Sequence, residues 1–165
     1  MSRPRYFPPD YSSKIGCYAD SLELFEEPIL WDGSSGIQAG YRFCTFPSFL
    51  APQTIRLEKR HNQYRLIIRR PKYFGQHRRG KPIVEEISNL NEATWQKFQR
   101  LVQAFSFYEM PIEIEERMFL VDGTRYIMEG FSEKKYHAVI RNTNTFSMDR
   151  EFVHLTDALQ HLQTL

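Results

Sequence analysis

The chain has few of the features that mark secreted, membrane or metal-binding proteins. Its 165 residues include only two cysteines, Cys17 and Cys44, and two thiols alone make neither a disulfide framework nor a complete zinc site. No stretch approaches the roughly 18 consecutive apolar residues of a membrane-spanning helix. The opening residues, MSRPRYFPPDYSSKIG, include arginines but no apolar core of a signal peptide. We therefore expect a cytoplasmic protein that binds no metal and no membrane.

The sequence motifs of common enzyme classes are missing as well. There is no G-x-S-x-G, no phosphate-binding loop and no G-x-G-x-x-G. The five histidines form neither H-E-x-x-H nor another familiar ligand spacing. These absences predict a protein that is not an enzyme and uses no cofactor.

What the chain does contain is typical of one globular domain. Hydrophobic residues make up 41% and charged residues 25% of the sequence, and 165 residues suffice to bury a core. The aromatic fraction, 15%, suits either a core built from Phe and Tyr or an aromatic binding surface.

Residues 1–40 lack clear periodicity and are interrupted by prolines. We expect an irregular N-terminal segment, followed by an α+β domain over residues 41–165. The segment either docks on that domain or stays mobile until a partner binds. Its aromatic residues are the expected anchors, whether for docking or for the partner: Tyr6, Phe7, Tyr11, Tyr18, Phe25 and Trp31.

Periodicity over the rest of the chain predicts a mainly antiparallel sheet with two helices packed on one face. Residues alternate over 41–46, a hairpin is expected at 54–59 and 64–69 with Ile55 and Leu57 facing Leu66 and Ile68, and 82–88 is expected to form another strand. Apolar residues repeat at helical spacing after Asn91, which is a good N-terminal cap, and again over 148–162. This order of elements is typical of a single α+β domain.

A polar cluster falls on a second hairpin, over residues 121–141. With a three-residue tip at 132–134, Glu129 would face His137 across the strands. That pair would serve either as a general acid and base or as a salt bridge that fixes the register of the hairpin. We expect the structural role, in a cluster of four residues: Glu129, Tyr136, His137 and Arg141.

Three blocks of sequence between residues 41 and 162 form a joint pattern. They are YRFCTFPSF with PQTIRLEKR, the Trp95 helix leading into SFYEMP, and DGTRYIMEG…KKYHAVIR. Together they resemble a family of small, largely uncharacterised bacterial proteins with a DG…EG…YH…R hairpin. Tyr126 stands where that pattern has tryptophan, and residues 142–144 replace its Trp-Ser-Pro. The resemblance implies the fold and a loose similarity to toxin-neutralising immunity proteins, but no established chemistry.

Charge is unevenly distributed along the chain. Residues 54–81 contain ten Lys or Arg against one acid, a net charge of +9, whereas the whole chain carries only +2. An Arg-rich hairpin face of this kind is either simply solvated, or binds an acidic protein, or contacts nucleic acid. The residues predicted to form the partner-binding surface are Arg56, Arg65, Arg69, Arg70, Lys72, Tyr73, Arg78 and Arg79.

The sequence therefore predicts a non-catalytic protein that binds another protein. The narrower form of the hypothesis is a bacterial immunity or inhibitor protein that neutralises a toxin, with the arginines steering an acidic partner. The alternatives are a nucleic-acid-binding module that uses residues 54–81, and a small enzyme that uses Glu129 and His137. The sequence leaves the oligomeric state open.

Overall fold

A computed structural model describes residues 6–72, 83–114, 122–132 and 135–162. The helices are α1 (Pro9–Ile15), α2 (Ala19–Leu24), α3 (Glu92–Ala104), α4 (Thr143–Phe146) and α5 (Arg150–His161). The strands are β1 (Ala39–Pro47), β2 (Gln53–Arg60), β3 (Gln63–Pro71), β4 (Ile83–Leu90), β5 (Thr124–Ser132) and β6 (Lys135–Asn142). Short 3-10 turns follow α1 and α3, at Gly16–Tyr18 and Phe107–Glu109.

The strands form one six-stranded antiparallel sheet in the order β4-β3-β2-β1-β5-β6. The alternation of apolar residues explains the β2–β3 hairpin, where Ile55 pairs with Ile68 and Leu57 with Leu66. The α+β prediction, with a mainly antiparallel sheet, is confirmed.

The two longer helices, α3 and α5, cover one face of the sheet. The Asn91 side chain caps α3 by accepting a hydrogen bond from the Thr94 amide at 2.8 Å. The apolar stripes of both helices enter the main core with the strand residues beneath them. The buried apolar residues of α3 and α5 are Trp95, Phe98, Val102, Phe152, Leu155 and Leu159.

The N-terminal segment covers the opposite face. It is more regular than expected, because α1 lies within it as well as α2, and only α2 has a sequence signal, the three-residue spacing of Leu22 and Phe25. Tyr6, Phe7, Ile15 and Leu22 are buried and pack against β-sheet residues such as Ile140. The predicted docking on the domain is thus observed. The suggestion that these aromatics anchor a partner is wrong for Tyr6, Phe7 and Phe25, because all three are buried inside the chain.

In the described ranges, no helix is long and apolar enough to cross a membrane.

Candidate functional site

A buried charge network lies between the sheet and the N-terminal segment. We use this name for Glu27, Arg42, Arg56, Glu58 and Glu129, each of which is at most 4% exposed. Glu27 comes from the N-terminal segment and the other four from β1, β2 and β5. Charges removed from water are costly unless they are paired and hydrogen-bonded, so their contacts decide what the network can do.

Glu27 neutralises two arginines that the sheet forces together. Arg42 and Arg56 are direct cross-strand neighbours on β1 and β2, where like charges repel. The Glu27 Oε2 accepts from Arg56 Nη1 and lies 3.4 Å from Arg42 Nη1. Its Oε1 accepts from Thr54 Oγ1 at 2.8 Å, and Arg42 Nη1 donates to the Pro28 carbonyl at 2.8 Å. Ion pairs therefore hold the N-terminal segment to the sheet.

Glu129 closes the network on the β5 side. It is the cross-strand neighbour of Arg42, whose Nε donates to Glu129 Oε2 at 2.6 Å. The Tyr136 hydroxyl donates to Glu129 Oε1 at 2.9 Å. Both carboxylate oxygens are thus occupied by groups of the same chain.

Glu58 gathers three arginines at the other end of the network. Arg56 Nε and Arg60 Nε donate to it at 2.9 Å each, and Arg65 Nη2 donates as well. The prediction that Arg56 contacts a partner is wrong, because its side chain is buried beneath the N-terminal segment. Arg65 remains partly exposed, but its guanidinium is directed to Glu58.

The two other described arginines of the predicted partner surface, Arg69 and Arg70, also have carboxylate neighbours. Arg69 Nε donates to Glu85 at 2.6 Å, and its Nη1 donates to a backbone carbonyl of the N-terminal segment at 2.9 Å. Arg70 pairs with Glu86 on the surface, and Lys72 is exposed. The basic hairpin is thus not the freely solvated face that its composition indicates. The remaining members of the predicted surface lie outside the described residues: Tyr73, Arg78 and Arg79.

Burial and ion pairing act in opposite directions on these carboxylates. Burial alone would raise the pKa of Glu27, but the guanidiniums of Arg56 and Arg42 hold it below its ordinary value. The pKa of Glu58 is lowered in the same way, against burial, chiefly by Arg56. At Glu129 burial prevails over the attraction of Arg42 and raises the pKa. Glu129 is therefore the first of the three to take up a proton on acidification.

The β5–β6 hairpin differs by one residue from the register that the sequence predicts. Ser132 pairs with Lys135, so the connection has two residues instead of three. His137 consequently faces Gly130, not Glu129. Since strand side chains alternate, this shift places Glu129 and His137 on opposite faces of the sheet. The prediction that Glu129 faces His137 is therefore wrong, both as an acid–base pair and as the salt bridge expected to fix the register.

Gly130 and His137 instead form a close-packed unit on the helix face. A Cβ at Gly130 would lie 2.6 Å from Phe107 Cε1 and 3.2 Å from Tyr41 Cδ1. The Phe107 ring stands edge-on to the His137 imidazole, with 5.5 Å between the ring centroids. The glycine is needed because no side chain fits beneath Phe107.

Both nitrogens of His137 are occupied. Its Nε2 lies 2.8 Å from the Met110 carbonyl, and its Nδ1 lies 3.1 Å from the Tyr11 hydroxyl. Because a carbonyl only accepts, Nε2 carries the hydrogen and Nδ1 accepts from Tyr11. Burial lowers the pKa of His137, although the Met110 carbonyl opposes this effect. These contacts join three separate segments of the chain.

Arg141 fastens the neighbouring segment to the edge of the sheet. Its Nε donates to Asp149 Oδ2 at 2.7 Å. Its Nη1 donates to the carbonyls of Ile140, Pro111 and Ile112, at 2.7, 3.2 and 3.3 Å. The predicted polar cluster is thus divided between the two faces of the sheet. Glu129 and Tyr136 are hydrogen-bonded on one face, whereas His137 and Arg141 lie on the other, each with its own partners.

Two adjacent, strongly exposed apolar side chains lie in the connection between β1 and β2, residues 48–52, which we call the Phe49–Leu50 loop. Phe49 and Leu50 are each 69% exposed. The Ser48 amide and hydroxyl donate to the Gly123 carbonyl at 2.9 and 2.8 Å, and the Gly123 amide donates to Ser48 Oγ at 3.1 Å. Met148, after α4 at the same end of the sheet, is 77% exposed.

A cavity of about 250 Å³ opens next to this loop. Tyr18, Ser48, Arg125, Asn142 and Thr143 line part of it. Ligand-binding clefts typically measure about 300–1,000 Å³, so this cavity suits a single side chain better than a cofactor. Across the described residues, no three His, Cys, Asp or Glu side chains are arranged to hold a metal ion.

Sequence reasoning missed Glu27 and Arg42. Arg42 carried a weak signal, because it shares a strand face with Cys44 and Phe46 in the alternating YRFCTF. Glu27 carried none, since it follows α2 in a stretch without periodicity.

Comparison with known protein families and with curated proteins finds no match.

Proposed function

We propose that the chain is a non-catalytic protein-binding protein whose contact surface is centred on the Phe49–Leu50 loop. The observation that carries the proposal is the 69% exposure of both side chains on adjacent positions of one loop. Large apolar side chains held together in water are a common mark of protein interaction sites, and Phe and Met are enriched in interfaces.

The anchoring of the loop supports this proposal. Reciprocal hydrogen bonds between Ser48 and Gly123 fix its base, so little conformational freedom is left to lose on binding at that point. The adjacent cavity would accept one side chain of the partner. The described arginines are weaker candidates for partner contacts than the sequence indicates. Most of them are directed to Glu27, Glu58, Glu85 or Glu86.

The narrower form of the proposal is that the partner is a toxin neutralised by direct binding. It rests on the resemblance of the hairpin motif to small bacterial proteins, and on the absence of any catalytic motif in the sequence.

The test is affinity capture from the organism that encodes the chain, with three baits. They are the unmodified chain, Phe49→Ser/Leu50→Ser, and Arg70→Ser/Lys72→Ser, which removes exposed cations instead. We expect a stoichiometric protein that binds the first and third baits and is lost from the second. Recovery of no such protein, or its retention by the loop variant, would contradict the proposal.

A captured protein then tests the narrower form. If it is a toxin, its expression arrests growth, and co-expression of the unmodified chain but not of Phe49→Ser/Leu50→Ser restores growth. A harmless partner would make the toxin hypothesis wrong while leaving the binding function intact.

A further inference from the structure

The two edge strands of the sheet, β6 and β4, differ in whether the rest of the chain covers them. The β6 edge is covered by the chain itself, since the Ile140 amide donates to the Ile112 carbonyl at 2.7 Å and Arg141 donates to carbonyls of the same segment. On β4, the other edge strand, no backbone hydrogen bond from the described residues reaches the outer side. The outer edge of this eight-residue strand, Ile83–Leu90, thus has no backbone partner among the described residues, and its residues 85–89 are exposed.

We propose that β4 pairs with β4 of a second copy of this chain, antiparallel and about a two-fold axis, so that one sheet runs through both copies. An isologous contact of this kind requires a strand that is complementary to itself. The sequence IVEEISNL decides whether β4 meets this requirement, and in which register.

The geometry of antiparallel pairing leaves few registers. Opposed residues direct their backbone groups either both toward or both away from the partner strand. A strand paired with itself about a two-fold axis therefore has one residue facing its own copy. At the middle of β4 that residue is Glu86, Ile87 or Ser88.

Charge and hydrophobicity select Ile87. Centring on Glu86 would place two carboxylates opposite each other, and centring on Ser88 would place Glu86 opposite Leu90. Centring on Ile87 pairs apolar with apolar and carboxylate with a hydrogen-bond donor at every position from 84 to 90. The facing pairs are then Ile87 with Ile87, Glu86 with Ser88, Glu85 with Asn89, and Val84 with Leu90.

Two further observations favour this contact. Ile87 is 53% exposed although it lies in the middle of the strand, where a dimer would cover it. The acids beside it are already neutralised on the inner side, Glu85 by Arg69 and Glu86 by Arg70. Edge carboxylates normally prevent pairing, but here their charge is balanced within the chain and each would face a neutral donor.

Sedimentation of the full chain over roughly 10 µM to 1 mM tests the dimer. These concentrations are high because a contact between two edge strands buries little surface and is weak. We expect a monomer–dimer equilibrium that Ile87→Lys weakens by about tenfold or more, since two lysines would face each other. Met148→Lys, at another exposed apolar residue, and Phe49→Ser/Leu50→Ser should leave the equilibrium unchanged. With these controls, a failure of the dimer proposal can be distinguished from a failure of the proposed function.

Disulfide trapping tests the register and does not depend on the stability of Ile87→Lys. In a Cys17→Ser background, which removes the exposed thiol, Ile87→Cys should cross-link two copies on mild oxidation, and Glu86→Cys should not. Three results would each overturn the proposal: a monomer at all concentrations, a dimer that Ile87→Lys leaves intact, or faster cross-linking through Glu86→Cys.

Discussion

Strands β1 and β2 bury charged side chains, whereas the Phe49–Leu50 loop that connects them exposes apolar ones. This is the reverse of the usual distribution of charged and apolar residues. Arg42 and Arg56, on the strands, are 0% and 4% exposed, whereas Phe49 and Leu50, between them, are each 69% exposed. Arginine is almost never fully buried unless it is paired. In this protein Arg42 and Arg56 both have carboxylate partners, and one of these, Glu27, comes from the N-terminal segment.

The comparison separates what builds the fold from what remains available for binding. The buried charge network attaches the N-terminal segment to the sheet, so its charges are used in contacts within the chain. The loop is fixed at Ser48 and Gly123, yet its two largest side chains are directed into water. Under the proposed function, a partner would meet these apolar side chains and not the arginines concentrated in residues 54–81.

The largest expected effect is on the network. Arg42→Met removes the guanidinium that serves Glu129 and Glu27 and leaves buried carboxylates undercompensated. We expect the free energy of unfolding to fall by about 3–5 kcal/mol, measured by urea denaturation. Arg70→Met, which breaks the exposed pair with Glu86, is the matched control and should cost at most about 1 kcal/mol. Equal losses from the two variants would show that burial of the pair is not what matters.

A smaller loss is expected at Gly130. In Gly130→Ala the new methyl group meets Phe107, so the ring or the strand must shift, at a cost of about 1–3 kcal/mol in unfolding free energy. Combining it with Phe107→Leu should recover part of this cost, because the two positions are in contact. Strictly additive losses in that double-mutant cycle would rule out the clash as the cause.

Acid should remove the stabilising contributions of Glu27 and Glu58 within a defined pH window. Glu27 and Glu58 have folded-state pKa values below the ordinary 4.5. Their contribution to stability is therefore present above pH 4.5 and is lost as pH falls through the folded-state pKa values. Denaturation across a pH series should show the gap between the unmodified chain and Glu27→Gln narrowing below pH 4.5. A gap that is constant with pH would contradict the assigned pKa of Glu27.

Local patterns in the sequence predict most of the fold. Alternation at Ile55 and Leu57 identifies β2 and even its pairing with β3, and the cap at Asn91 marks the start of α3. The register of the β5–β6 hairpin was not predictable in this way, because it depends on whether the tip has two or three residues. Both tips fit the same polar sequence, and the choice reverses every facing side chain.

The candidate site was harder to predict than the fold for a second reason. Whether an arginine is buried depends on a carboxylate that only the folded chain brings near it. Glu27 lies 15 residues before Arg42 and outside any periodic pattern. A strand rich in arginine consequently looks like a solvated or ligand-binding face until its acidic partner is located.

The central claim is that the buried arginines belong to the fold and the exposed Phe49–Leu50 loop does not. The most direct test is the free energy of unfolding of Phe49→Ser/Leu50→Ser, measured beside Arg42→Met. If the loop is a binding surface that the fold does not need, the double variant should unfold within about 0.5 kcal/mol of the unmodified chain, while Arg42→Met is strongly destabilised. A loss for the loop variant that equals or exceeds the loss for Arg42→Met would contradict the account, because Phe49 and Leu50 would then be part of the core.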